Sequence, residues 1–250
     1  MTPTHPTLLF TILAMILGLG ALILSPIPMT PLKFADEYSM WGISCGANVL
    51  SAFSLTLIGV YGLTCRPRFE LAREVLTSMI ICCVGILIGG PIEAWLHWTL
   101  SAYAQLLSEG IFSLVLLNAS FALIATQLPL KGRWWLFSGL QLIALTSVSV
   151  EFFESDRRFV LMLEVFSVLV IVFSLIRVWR VDASSYLRWH LVSLSMSWVV
   201  GGMDEWILNL THYWVSGHTL QHLCWSASGF FWLKYFTQVR PRELNALLPN

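Results

Sequence analysis

Long apolar runs separated by short polar connections set the pattern of this chain. A helix needs about 20 apolar residues to cross the hydrocarbon core of a bilayer. Eight runs approach or reach that length, at roughly 7–25, 39–63, 75–98, 103–127, 134–152, 159–179, 187–209 and 218–237. No low-complexity segment or internal repeat interrupts them, and no connection is long enough to hold a soluble domain. The pattern predicts an all-α polytopic membrane bundle: a seven-helix core over 39–240, preceded by an N-terminal transmembrane helix and linker over 1–38. The first run is the shortest, Thr7 to Leu24, and lacks a basic leading segment. A cleaved signal peptide is its rival reading. Pro26 and Pro28 stand where a small-residue cleavage site would be needed, which favours a retained helix.

Composition agrees with the pattern. The 250 residues are 57% hydrophobic and 11% charged, against about 25% charged in soluble domains. Twelve Trp suit the two interfacial belts of a bilayer. A formal net charge of zero gives no footprint for nucleic acid. The five Cys contain no C-x-x-C pair, and Cys82 and Cys83 adjoin inside an apolar run, so packing is a better reading than disulfides or metal ligation.

Basic residues mark alternate connections: Arg66, Arg68 and Arg73; Lys131 and Arg133; Arg177, Arg180 and Arg188; Lys234, Arg240 and Arg242. These are expected to face the cytoplasm, the C-terminus with them. That orientation assigns a depth to each ionisable residue within the runs. Glu93 and His97 fall near the outer end of one span. Ser108 and Glu109 open the next, Glu164 lies early in a later one, and Asp204 and Glu205 close the penultimate span. His218 and His222 open the last. All are expected in the outer half of the membrane, where such groups are costly and are functional candidates.

The spacing of these residues carries chemistry. His218 and His222 stand four apart on one helix face, as do Glu93 and His97. A lone membrane histidine usually bonds a neighbouring helix, and H-x-x-x-H alone is a weak signal. Three histidines and several carboxylates at one depth point instead to a metal site, with His97, His218 and His222 as ligands. Zinc held by three imidazoles keeps a position open for water and makes it nucleophilic near neutral pH. Glu93 is the expected general base, or else a fourth ligand that closes the site. Ser108 is expected to hydrogen-bond a carbonyl or the water, and Asp204 to orient a ligand histidine. Glu109 and Glu205 face interfacial water in the plainer reading, and Glu164 is structural. His5, His190 and His212 lie near span ends and are expected to be solvated. Asn48 and Ser51, one turn apart, are expected to bond across helices. Gly89-Gly90-Pro91 is expected to kink its span and aim Glu93 and His97 inward. Paired E-x-x-H motifs of a di-iron site are absent, as are the repeats of a transporter.

These motifs together resemble the alkaline ceramidase family and the wider superfamily of seven-helix membrane hydrolases and receptors that includes the adiponectin and progestin receptors. The resemblance covers about 41–237. His218–His222 matches the family's last motif, Glu93–His97 stands at its first, and Asp204 sits at its penultimate-helix aspartate. Ala104 to Glu109 resembles its acid-bearing stretch, and Asn48 to Ser51 its N-x-x-S. Two departures stand out. Glu93 occupies the family serine position and Ser108 the family acid position, as though acid and hydroxyl had exchanged helices. The family's acidic calcium-binding stretch survives at most as Asp36-Glu37-Tyr38. The resemblance implies a zinc-dependent hydrolase that cleaves the amide bond of ceramide or a related N-acyl lipid. The alternative is a metal-stabilised lipid-binding receptor or scaffold without turnover. Short connections and the missing calcium stretch favour a bacterial inner membrane, with the metal site toward the periplasm.

Overall fold

A computed structural model describes residues 45–65, 71–126, 133–154, 156–178 and 184–238, with positions 20, 34, 35, 40, 42 and 43 besides. The run at 7–25 lies, but for Gly20, outside the described residues, as do His5 and Asp36 to Tyr38. Among the described residues the chain is helical throughout: α1 (Gly46–Cys65), α2 (Arg73–Thr99), α3 (Ala102–Ala125), α4 (Arg133–Glu154), α5 (Arg158–Val178), α6 (Ser184–Gly202), α7 (Asp204–Leu210) and α8 (Gly217–Gln238). Met40 and Ile43 form only an isolated bridge.

Gly46–Cys65, Arg73–Thr99, Ala102–Ala125 and Trp134–Glu154 are long and apolar enough to cross a membrane. Four of the eight crossings expected are thus found among the described residues, and the run at 7–25 lies outside them but for Gly20. Helices α6 and α8 carry polar side chains that dilute their apolar character: Arg188 and His190 in one, and His218, His222 and Lys234 in the other. Large apolar side chains such as Leu57, Leu142, Phe153 and Ile176 are exposed on the outside of the bundle, as in a protein whose solvent is lipid.

Two boundaries differ from expectation. The helix expected from 39 starts at Gly46. Met40 and Ile43 exchange two backbone hydrogen bonds of 3.0 Å around Gly42, which sits at φ +80°, and Cys45 at φ 49° turns the chain again before the helix begins. The single span expected over 187–209 is broken at Met203 into α6 and α7. There the Met203 amide bonds Val200 O at 3.1 Å, a tighter pairing than the α-helical ladder.

Six helices close a ring. α1 packs on α2, α2 on α3, α3 on α5, α5 on α6, α6 on α8, and α8 back on α1, while α4 lies outside against α3 and α5. The α1–α2 crossing brings backbones into near contact. A Cβ on Gly59 would lie 2.6 Å from Leu87 N, and one on Gly90 2.9 Å from Ala52 O. Small residues permit such packing where lipid offers no hydrophobic drive between helices. The glycines before Pro91 also serve as packing faces, and α2 stays helical past Pro91. Leu100, at φ 49° and ψ 34°, ends α2 in the left-handed conformation, and α3 starts at Ala102. This tight reversal keeps the last turns of α2 and the first turns of α3 at one end of the ring. The apolar core fills the other end, where Leu117, Phe121, Ile171, Leu187, Leu233 and Tyr235 are all buried.

Candidate metal centre

Each side chain of the site is set by a local feature of its helix. The start of α8 is capped twice. Ser216 Oγ accepts the Thr219 amide at 3.1 Å, and Asp204 Oδ1 accepts the His218 amide at 2.7 Å. A serine cap is worth about 1 kcal/mol. A Cβ on Gly217 would collide with Val200 O and lie 2.7 Å from Asp204 Cα, so only glycine lets α8 begin against the α6–α7 junction. These contacts fix the rotation of α8, and with it the side on which His218 and His222 stand. On α2, Glu93 and His97 project one turn apart from the other side of the ring.

The four side chains converge. His97 Nε2 lies 3.3 Å from His222 Nε2 and 3.2 Å from His218 Nε2. Glu93 Oε1 lies 3.3 Å from His97 Nε2, 3.4 Å from His222 Nε2 and 3.8 Å from His218 Nε2. One ligand atom from each falls within 4.8 Å of all the others, so the group could hold a single metal ion. Glu93, His97 and His222 are buried, and His218 is partly open. Imidazole–imidazole hydrogen bonds are a poor account of this cluster: each neutral ring has one N–H, and three acceptor-capable nitrogens meet at one point.

For His222 the tautomer follows from its neighbours. The Ser51 hydroxyl donates to Asn48 O at 3.0 Å and lies 2.8 Å from His222 Nδ1. Its single proton being committed, Ser51 Oγ accepts from Nδ1–H. The lone pair of His222 is thereby on Nε2, facing the cluster, as a metal ligand requires. Asn48 anchors the same helix pair, its Oδ1 accepting from Ser216 Oγ at 3.1 Å and Thr219 Oγ1 at 2.6 Å. Asn48 and Ser51 do bond across helices. The sequence singled out Ser51 through its resemblance to an N-x-x-S motif, but gave it no role toward a ligand.

The remaining expected site residues divide. Ser108, from α3, donates to Glu93 Oε2, so the carboxylate presents one oxygen to the histidines and the other to the serine. Asp204 does not touch an imidazole. Its two oxygens accept backbone amides, of His218 and of Ala35, each at 2.7 Å. It supports the site by holding main chain. Through Ala35 it also positions Phe34, whose ring centroid lies 4.3 Å from that of His97 and 4.6 Å from that of His218. Nothing in the local pattern around Phe34 signalled this cover over the site.

Outside the cluster, Glu109 pairs with Arg157 at 2.8 Å, and Glu164 accepts from Ser113 at 3.2 Å. Glu205 and His212 are exposed. His190 is not solvated as expected: it is buried, with Nδ1 2.7 Å from Ser228 Oγ. None of the five cysteines forms a disulfide among the described residues, and four of them are buried. Two spaces adjoin the centre. A polar bowl beside Phe34 is lined by Ala35, Asp204, Glu205, Asn209 and Tyr213. An apolar cavity of about 160 Å³ lies within the ring, and its lining includes Trp225, whose ring is 6.3 Å from that of His222. Compared with known proteins, the chain matches no protein-family model and no curated protein sequence.

Proposed function

We propose that this protein is a zinc-dependent integral membrane hydrolase that cleaves the amide bond of ceramide or a related N-acyl lipid. The spacing of the ligand atoms carries the reading. Tetrahedral zinc with ligands at about 2.0–2.1 Å sets them about 3.3–3.4 Å apart. Five of the six separations among His97, His218 and His222 Nε2 and Glu93 Oε1 run 3.2, 3.3, 3.3, 3.4 and 3.8 Å, and all four ligand atoms lie within 4.8 Å of one another. Imidazole nitrogen with one carboxylate suits zinc better than the hard cations. Glu93 is also held through its other oxygen by Ser108, which makes the carboxylate the member of the set best suited to another task.

Zinc bound here would polarise an amide carbonyl and lower the pKa of water toward about 7. His97, His218 and His222 hold it. Glu93 accepts the proton of the attacking water through Oε1 and returns it to the departing amine. Ser108 holds Oε2 and keeps the carboxylate aimed. The acid and the hydroxyl are thus in direct contact, so the exchange of helices relative to the ceramidase pattern preserves the pair. The two flanking spaces suit a lipid amide: a polar headgroup toward Asp204 and Asn209, and a tail in the apolar cavity past Trp225. Short connections and alternating basic flanks support seven core spans in a bacterial inner membrane, with this centre toward the periplasm.

A metal-stabilised lipid receptor without turnover is the second reading. It is favoured by the nearly equal distances of Glu93 Oε1 from His97 and His222, which would suit a fourth ligand. Metal analysis of the purified protein, run beside mass spectrometry of lipid products, separates the two. The hydrolase reading expects one zinc per chain and release of a fatty acid and an amine, with turnover lost in Glu93→Gln. Zinc bound tightly with no cleavage of ceramide or other N-acyl lipids would leave the receptor.

A further inference from the structure

One turn below the histidine cluster, toward the packed end of the bundle, helical spacing places a floor. A residue four positions along a helix lies about 6 Å further down its axis. Phe112 stands four residues beyond Ser108 on α3, Trp225 three beyond His222 on α8, and Gly89 four from Glu93 on α2. The Phe112 and Trp225 rings meet between α3 and α8, with centroids 5.1 Å apart and planes tilted by 44°. The Trp225 ring is also 6.3 Å from that of His222. Phe112 lies in addition against bare backbone: a Cβ on Gly89 would stand 3.2 Å from Phe112 Cζ and 3.5 Å from its Cε1. The phenyl ring thus has the α2 backbone and the indole as its neighbours.

Phe112 and Trp225 both line the apolar cavity, and Ile58, Ala119 and Trp232 line it deeper in the bundle. None of Glu93, His97, His218 and His222 is part of that lining among the described residues. The two rings therefore stand between the cluster and the cavity. A lipid whose amide carbonyl is at the cluster, and whose tail is in the cavity, brings the first few carbons of its acyl chain alongside them. A straight chain can lie along the aromatic faces. A methyl branch at that level must push on a ring already in contact with the α2 backbone and the indole, and close-packed interiors yield little.

We infer that Phe112 and Trp225 set the acyl specificity of the site, admitting unbranched chains and turning away those branched within their first few carbons. The inference rests on the proposed function for the placing of the carbonyl, but the selection is read separately from turnover. The test uses the full-length, zinc-loaded protein in detergent. Its probes are decanohydroxamic acid, whose head takes zinc through two oxygens, and a positional series of methyl-branched analogues. The corresponding N-acyl lipids report turnover. At one position near the head, a methyl should weaken binding by about 10- to 100-fold relative to the straight chain. Phe112→Ala and Trp225→Ala should each bring that ratio toward one. Gly89→Ala, which presses a methyl on the phenyl ring without removing a contact, should raise it. Ile58→Ala enlarges the same cavity away from the two rings and should leave the ratio unchanged. Discrimination that disappears in the two ring variants, with no N-acyl lipid cleaved, sustains the floor and overturns the hydrolase. Cleavage of N-acyl lipids with equal binding of straight and branched chains sustains the hydrolase and overturns the floor. An equal loss of discrimination in Ile58→Ala also overturns the floor, because cavity volume alone would then explain the effect. Where a ring variant loses its zinc, Gly89→Ala carries the test, and an unchanged ratio there overturns the floor.

Discussion

Replacing Ser51 with alanine tests how the histidine cluster is held ready for metal. Ser51 lies on α1, touches no ligand atom of the cluster, and meets only the far nitrogen of His222, at 2.8 Å. In Ser51→Ala the buried Nδ1–H loses its acceptor, at a cost of about 1–3 kcal/mol. The tautomer with the proton on Nε2, which cannot bind metal, then gains population. Removing such a support typically costs 10- to 100-fold in metal affinity, equivalent to about 1.4–2.8 kcal/mol, and the two ranges overlap. The structure supplies a matched control. Ser54 and Ser226 share a 2.6 Å hydrogen bond between the same two helices, one turn further along. Ser54→Ala removes a similar α1–α8 contact without touching an imidazole. Zinc affinity, measured by competition with a chelator, should fall about tenfold or more in Ser51→Ala and stay near wild type in Ser54→Ala. Equal losses in the two variants would mean that the effect is helix packing. Wild-type affinity in Ser51→Ala would refute the tautomer argument.

Other perturbations probe the cluster from different sides. His97→Ala, His218→Ala and His222→Ala should each lower the zinc content of the purified protein, and a full complement of zinc in any one of them removes that residue from the ligand set. Glu93→Gln should keep the metal while turnover falls by about 10²- to 10⁴-fold, the usual worth of a general base; loss of the metal instead would make Glu93 a ligand. Zinc binding needs neutral imidazoles, because a protonated ring has no lone pair to give. Affinity should therefore decline in acid, with protons taken up by the ligand set as zinc is released; zinc release on acidification without proton uptake would argue against histidine ligation. Gly59→Val should force α1 away from Leu87 on α2, lowering stability by about 1–3 kcal/mol and moving Ser51 relative to Glu93 and His97. A melting temperature and metal content equal to wild type would show that the two helices do not cross so closely.

Much of the candidate site was legible because its residues obey helical spacing. Glu93 and His97 are four apart, as are His218 and His222, and alternation of the spans carries both pairs to one end of the bundle. Charge alternation added Ser108 at the same depth. What stayed hidden depends on rotation about helix axes. Helices that are apolar on every side offer no face by which to tell inside from outside. His190 near a span end was thus expected in water, although its ring turns inward onto Ser228. Asp204 was read as a partner for a ring, because a carboxylate near a metal site usually serves one; the break at Met203 aims it instead at the amides of His218 and Ala35. That break falls inside an apolar run with no proline to announce it.

The position of that break explains why the centre is both buried and reachable. A continuous helix through 203 would direct Asp204 along the side of α6. Ending α6 at Gly202 lets one carboxylate hold the first turn of α8 with one oxygen and residue 35 with the other. The first contact sets His218 opposite His97. The second brings Phe34 over both rings. Phe34 contributes no polar atom, so it shields the centre without competing for a ligand position, and His218 remains the partly open histidine of the three. On the proposed function, a lipid would meet the polar bowl around Asp204, Glu205 and Asn209 before the candidate ligands. It would pass beside Phe34 rather than through the packed α1–α2 crossing. The least ordinary piece of backbone at this end of the protein thus fixes the first turn of α8 and the cover over the histidines with a single side chain.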